Sequence, residues 1–171
     1  MKLNFTLTSP HSLETCRAYF SNLPLYLKAH TKPGTTFTIT DADSPLASNG
    51  PLHTIYTIIE RRTITPAKNN PQNRSVTWSS THVVTSTTEH IMSDTITAGQ
   101  GHGTTQKISL EPAALSTPGK PETMITYDLD FAVGNLSKPL LFALRNQLKQ
   151  LAIDSAALDL AAITALAKEL H

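Results

Sequence analysis

The sequence predicts an α+β domain in which one antiparallel sheet of about seven strands packs against a long C-terminal helix. Three observations carry this expectation. The tract from Thr35 to Phe131 is rich in threonine, β-branched and aromatic residues and is cut at intervals by proline and glycine clusters, the composition of a meander. No helical periodicity interrupts it, so its connections read as hairpins rather than parallel crossovers. From Lys138 onward, leucines recur at three- and four-residue intervals, the spacing of one helix face.

Each element has a local reason. Leu3, Phe5 and Leu7 alternate with Lys2, Asn4, Thr6 and Thr8, the period of a half-buried strand that Pro10 ends. From Ser12 the spacing turns helical: Leu13, Cys16, Tyr19 and Phe20 share a face, Ser12 is placed to cap the first turn, and Glu14 is favourable near its positive end. Pro24 is expected to interrupt this helix, with Leu25 to His30 forming a second one that Lys32-Pro33-Gly34 closes. Strands are expected over Thr35 to Ala42, Leu52 to Thr65, Ser75 to Thr85, Thr88 to Ala98, Thr104 to Glu111 and Glu122 to Val133.

Ser137 and Pro139 open the final helix, whose stripe runs through Leu141, Leu144, Leu148, Leu151, Leu158 and Leu166. Unbroken to Leu170 it would span about 50 Å at 1.5 Å per residue. A compact domain of this length is only about 40 Å across. The helix is therefore expected to overhang the domain or to break, and Asp154-Ser155, both cap-favouring residues, is the expected place for a break. Lys138 to about Leu151 would lie along the sheet, burying Leu141, Leu144 and Leu148. Residues 155–171 would form a helical extension of a single 1–171 domain, their Leu158, Ala162, Ile163 and Leu166 stripe available to pair two copies into a homodimer.

Composition narrows the function. With 171 residues, 39% of them hydrophobic, the chain can bury one core without metal or disulfide support. A net charge of +1 and 16% charged residues give no footprint for nucleic acid. The lone Cys16 suits a reducing compartment. The first ten residues lack the apolar run of a signal peptide. Arg145, Lys149, Asp154 and Asp159 argue against a spanning helix, so a cytoplasmic protein without integral membrane association is expected. Gly99-Gln100-Gly101-His102-Gly103-Thr104 lacks the lysine of a phosphate loop and reads as a flexible hairpin tip. No zinc-type spacing of His and Cys occurs, so neither metal nor cofactor is expected.

The chain resembles the START-like helix-grip superfamily, also called SRPBCC or the polyketide-cyclase and lipid-transport superfamily. The resemblance covers nearly the whole chain. It rests on Phe5 to Ser9 leading into Ser12 to Phe20, on Ile58-Ile59-Glu60 and Ser75-Val76-Thr77-Trp78 as middle strands, on the Gly101-His102-Gly103-Thr104 hairpin, and on Phe131-Ala132-Val133-Gly134 before the long helix. It implies a curved sheet gripping the last helix around an apolar cavity for lipids, polyketides or other hydrophobic molecules. It leaves binding, catalysis and protein interaction open.

Strand parity suggests what faces that cavity. A three-residue loop Thr85 to Thr87 would pair Val84 with Thr88, His82 with His90, Ser80 with Met92, Trp78 with Asp94 and Val76 with Ile96. Ile96 would in turn oppose Gln106. The expected lining is Trp78, Met92, Ile96, Gln106, Ile108, Tyr127, Leu129 and Phe131, with Leu144 from the helix. His82, His90 and Asp94 are the candidates for acid-base work or for contacts to a polar ligand group. Histidines near a hairpin end also serve as structural hydrogen-bonding groups, and Glu60, Arg61 and Arg62 could place one charge inward but read first as a solvated sheet edge. Three functions follow: a binder of a small hydrophobic molecule, a polyketide cyclase-, aromatase- or hydrolase-like enzyme using the His82, His90, Asp94 cluster, or an interaction module with a filled cavity. The first predicts an enclosed apolar cavity, the second imidazole and carboxylate in contact within it, and the third an exposed apolar patch.

Overall fold

The computed structural model describes residues 1–43, 55–64, 76–87, 89–113, 121–134 and 138–170. The elements run β1 (Lys2–Ser9), α1 (Leu13–Phe20), α2 (Leu23–His30), β2 (Thr35–Asp43), β3 (Ile55–Ile64), β4 (Val76–Thr85), β5 (Met92–Gly99), β6 (Thr105–Pro112), β7 (Thr123–Asp130) and α3 (Lys138–Glu169). All seven strands join one antiparallel sheet in the order β1-β7-β6-β5-β4-β3-β2. The expected starts at Leu52 and Thr88 and the cap at Ser137 lie outside the described residues.

The short helices are set by their caps. The Ser12 hydroxyl accepts from the Thr15 amide at 3.2 Å, and the Asn22 side chain accepts from the Leu25 amide at 3.1 Å. Pro24 therefore opens α2 rather than interrupting a helix, because its missing N–H falls in a first turn where no intrahelical partner exists. Cys16, Tyr19, Phe20 and Leu23 are buried against the sheet residues Ile108, Ile125 and Tyr127 in one core.

The β4–β5 register differs from expectation. Val84 pairs with Asp94 and His82 with Ile96, with a bulge beside Thr81. The chain from Ser86 to Ile91 is a longer connection in which the Thr87 amide donates to the His90 carbonyl at 2.9 Å. Asp94, not Ile96, opposes Gln106. At His82, Val84 and Gln106 the slips are by an even number of residues, whereas past the bulge Ser80 pairs with Gly99 instead of Met92, an odd slip; His82, Val84, Met92, Asp94, Gln106 and Ile108 still point to the same side. At the β5–β6 turn, Gly99, Gly101 and Gly103 all have positive φ. A Cβ on Gly99 would stand 2.1 Å from the Ser79 carbonyl oxygen. This glycine run meets a defined backbone need and is tied to β4 by the Gln100 amide donating to Ser79.

Helix α3 is unbroken over its 32 residues. Asp154 accepts from the Gln150 side chain at 2.8 Å, and Ser155 meets His30 at 3.3 Å. These partners outweigh the cap preference of the two residues. The expected packing of α3 is also displaced. Leu140, Phe142 and Leu151 are exposed, Leu144 and Leu148 are half-buried, and the side chain of Leu141 lies outside the described set. The buried stripe is instead Ala152, Ala156, Asp159, Ile163 and Ala167. Small residues let the distal half of α3 approach α1, α2 and β1 closely. Of the expected distal stripe, Ile163, Ala162 and Leu166 pack into the core of their own chain, while Leu158 is exposed. By length and composition Phe142–Glu169 is apolar enough to cross a bilayer, so its charges do not exclude that.

Candidate functional site

Strand parity and one helix face build a chamber of about 230 Å³ between the sheet and the helices. Phe37 of β2, Ile58, Glu60 and Arg62 of β3, His82 and Val84 of β4, Met92 and Asp94 of β5 and Gln106 of β6 form its sheet wall. Leu23, Tyr26, Leu27 and His30, spaced as one face of α2, form the opposite wall, with Ser155 of α3. A second space of about 200 Å³, with Phe20, Tyr56 and Ile91 in its wall, shares Leu23, Val84 and Met92 with the first. These three buried side chains are the partition between a polar and an apolar chamber.

His82 is the hub of the polar chamber. Its Nδ1 donates to Asp94 Oδ2 at 3.0 Å. Its Nε2 lies 3.0 Å from the Ser80 hydroxyl and 3.4 Å from Glu60 Oε2. Burial opposes charging of the imidazole, but the bonds to Asp94 and Glu60 outweigh it and raise its pKa from 6.5 to about 9. The hydrogen bond from His82 in turn holds the Glu60 carboxyl below its ordinary value. At neutral pH the unit is an imidazolium clamped between two carboxylates, with both nitrogens engaged.

A second polar unit stands where α1, α2, β7 and α3 meet. Asp159, 1% exposed, accepts from the Tyr19 hydroxyl at 2.8 Å and from the Tyr127 hydroxyl at 2.9 Å. His30 Nε2 reaches the same carboxylate at 2.8 Å. Burial first, and the Asp159 charge second, drive the Tyr19, Tyr26 and Tyr127 phenols far above their ordinary range, so all three remain protonated. Tyr26 packs against the His30 ring at 4.4 Å.

The candidate residues from the sequence are thus dispersed. His82 and Asp94 are brought together in the polar chamber, where Met92 and Gln106 also lie. His90 is separated from them: its Nδ1 bonds the Ser109 hydroxyl at 2.9 Å. Ser109 alternates with Ile108 and so projects from the other face of the sheet. Trp78, 40% exposed, pairs with Arg62 beyond the end of β5 and stands with Ile96 at a hollow of about 270 Å³ that shares Glu60 and Arg62 with the polar chamber. Ile108 and Tyr127 are fully packed core, Tyr127 stacked on Phe5 at 5.0 Å. Leu129 belongs to a groove with His90 on β1, β6 and β7. Phe131 lies past β7 with its backbone bound to Met1. Leu144 is half-buried on the proximal part of α3. Glu60 and Arg62, read as a solvated edge, face the chamber because they share the parity of Ile58. His30, Ser155 and Asp159 carried no local signal of a site.

Seven antiparallel strands gripping a long C-terminal helix, with two short helices after the first strand, define a START-like helix-grip fold. No protein-family model matches the chain, and no curated protein matches it. Solved structures do. TTHA0849 from Thermus thermophilus is 9% identical, with a TM-score of 0.57 over 97% of this chain and 96% of that one. Ara h 8.0201 is 12% identical, with a TM-score of 0.55 over 96% and 98%. A Staphylococcus aureus protein of unknown function, SA2116, is 9% identical, with a TM-score of 0.54 over 99% and 95%. At these identities the likeness is one of fold, and the site has to be argued from its own residues.

Proposed function

We propose that this protein binds a small, largely apolar molecule with one polar end, held between the sheet, α2 and α3. The observation that carries the reading is the two-chamber cavity. Its polar part presents Glu60, His82 and Asp94, and its apolar part lies just beyond Leu23, Val84 and Met92. Apolar area supplies affinity in such a pocket, and sparse polar groups supply orientation. A lipid, polyketide or aromatic metabolite of modest size fits that description, and a cytoplasmic, cofactor-free binder remains the reading of the chain as a whole.

A cyclase-like role for His82 is less well supported. A general base needs a free lone pair near neutrality. His82 is held as a cation with both nitrogens occupied, which suits a clamp that aims Glu60 and Asp94 at a ligand.

Titration with the fluorophore anilinonaphthalene sulfonate tests the reading. Saturable enhancement is expected in the native protein and its loss in Val84→Trp, which fills the shared partition. Equal binding by the Val84→Trp protein, shown to be folded by circular dichroism, would contradict it. Native mass spectrometry after mild purification then identifies the class of any co-purifying molecule.

A further inference from the structure

His30 links two residues one turn apart on α3. Its Nε2 lies 2.8 Å from Asp159 Oδ1, and its Nδ1 lies 3.3 Å from the Ser155 hydroxyl. Both His30 and Ser155 line the polar chamber. Asp159 is buried behind them and is held by two phenol donors, so its carboxylate cannot turn away from the imidazole. A carboxylate on Nε2 keeps the proton there and leaves the Nδ1 lone pair for the serine hydroxyl. Nucleophile, base and orienting acid thus stand in sequence, with the serine at a cavity wall. The alternative, that His30 only tethers α2 to α3, does not require Ser155 to face the chamber.

We propose that Ser155, His30 and Asp159 form a hydrolytic triad acting on small carboxylic esters whose acyl chain lies against Leu23, Val84 and Met92. The proposal rests on the cavity reading above and adds a reaction to it. Ser155 Oγ attacks the ester carbonyl carbon as its proton passes to His30 Nδ1. The C–O bond to the alcohol breaks, and the departing oxygen takes that proton. Water, deprotonated by the same nitrogen, attacks the acyl-serine, releases the carboxylic acid and returns the proton to Ser155. The Lys32 ammonium, on the wall of the same chamber, is a donor for the carbonyl oxygen as it gains charge, while the Gln106 amide is bonded to Tyr26. Ser155 and His30 are the catalytic residues, and Asp159 is a positioning residue.

The full chain is incubated with an alkyl fluorophosphonate and mapped by mass spectrometry, and p-nitrophenyl butyrate hydrolysis is followed in parallel. One phosphonyl group on Ser155 is expected. Ser155→Ala and His30→Gln should lose both labelling and at least about 100-fold of the turnover. Asp159→Asn should lower kcat while leaving KM within about twofold, a split that a purely structural role does not produce. Ser155→Ala deletes one oxygen from a half-buried position, and an unchanged thermal midpoint verifies its fold. Labelling at another residue, or equal hydrolysis by native protein and Ser155→Ala, overturns the triad. Anilinonaphthalene sulfonate binding by the same native sample shows whether the cavity reading survives that result.

Discussion

Replacing His82 by glutamine should remove one specific component of the pH dependence of stability. The histidine's pKa rises from 6.5 to about 9 in the folded protein. Its contribution is therefore complete below about pH 6.5 and disappears as pH rises through about 9. Each pKa unit corresponds to about 1.4 kcal/mol, so the full contribution is about 3 kcal/mol. The side chain is only 12% exposed, so solvent screening reduces this little. Urea denaturation of native and His82→Gln proteins at several values between about pH 6 and about pH 10 measures the effect. The native protein should lose about 3 kcal/mol more than the variant over that range. The comparison cancels distant titrating groups, which contribute equally to both. The variant also leaves Glu60 and Asp94 without their cation, a cost that enters as a constant offset above pH 6. A gap between the two proteins that stays within about 0.5 kcal/mol across the range would falsify the clamp.

Glu60 titrates with the opposite sign: its lowered pKa contributes stability present above about pH 4.5 and lost as pH falls through the folded value, so Glu60→Gln should flatten the acid limb of the same denaturation series. Asp159→Leu strands the Tyr19 and Tyr127 hydroxyls and His30 in the interior and should cost about 3–5 kcal/mol by the same assay, whereas a loss below about 1 kcal/mol would contradict the buried unit. Ile163→Ala, at a fully buried position, should cost about 2–5 kcal/mol. Leu144→Ala, on the half-buried proximal helix, should cost less than Ile163→Ala, and the reverse order would mean that the leucine stripe is the packed one. Gly99→Ala meets both a positive φ and the Ser79 carbonyl and should lower the thermal midpoint by several degrees, read by differential scanning calorimetry.

Local pattern was enough for the fold class. Alternation in Leu3, Phe5 and Leu7, the Ser12 cap, the β-rich centre and the leucine-rich end together specify strand, helix and order, since each depends on neighbours within a few residues. Face assignment survived wrong registers for a related reason: a strand's side chains alternate with a period of two, and the slips at His82 and Val84 on β4 and at Gln106 on β6 are even. That is why His82, Asp94, Met92 and Gln106 were legible as sharing a wall. His90 was misplaced because a connection longer than three residues carries it to the other face, and sequence alone does not give loop length. Only the tertiary structure decided which turn of α3 is buried. Leucine spacing marks a helix and its apolar face, but close packing on α1 and β1 favours alanine at Ala152, Ala156 and Ala167, which periodicity weights least. The Tyr19, His30, Tyr127 and Asp159 unit lies furthest from local inference, because its members come from four separate elements. A carboxylate that reads as a solvated helix residue becomes a buried acceptor only when chain closure delivers three donors to it.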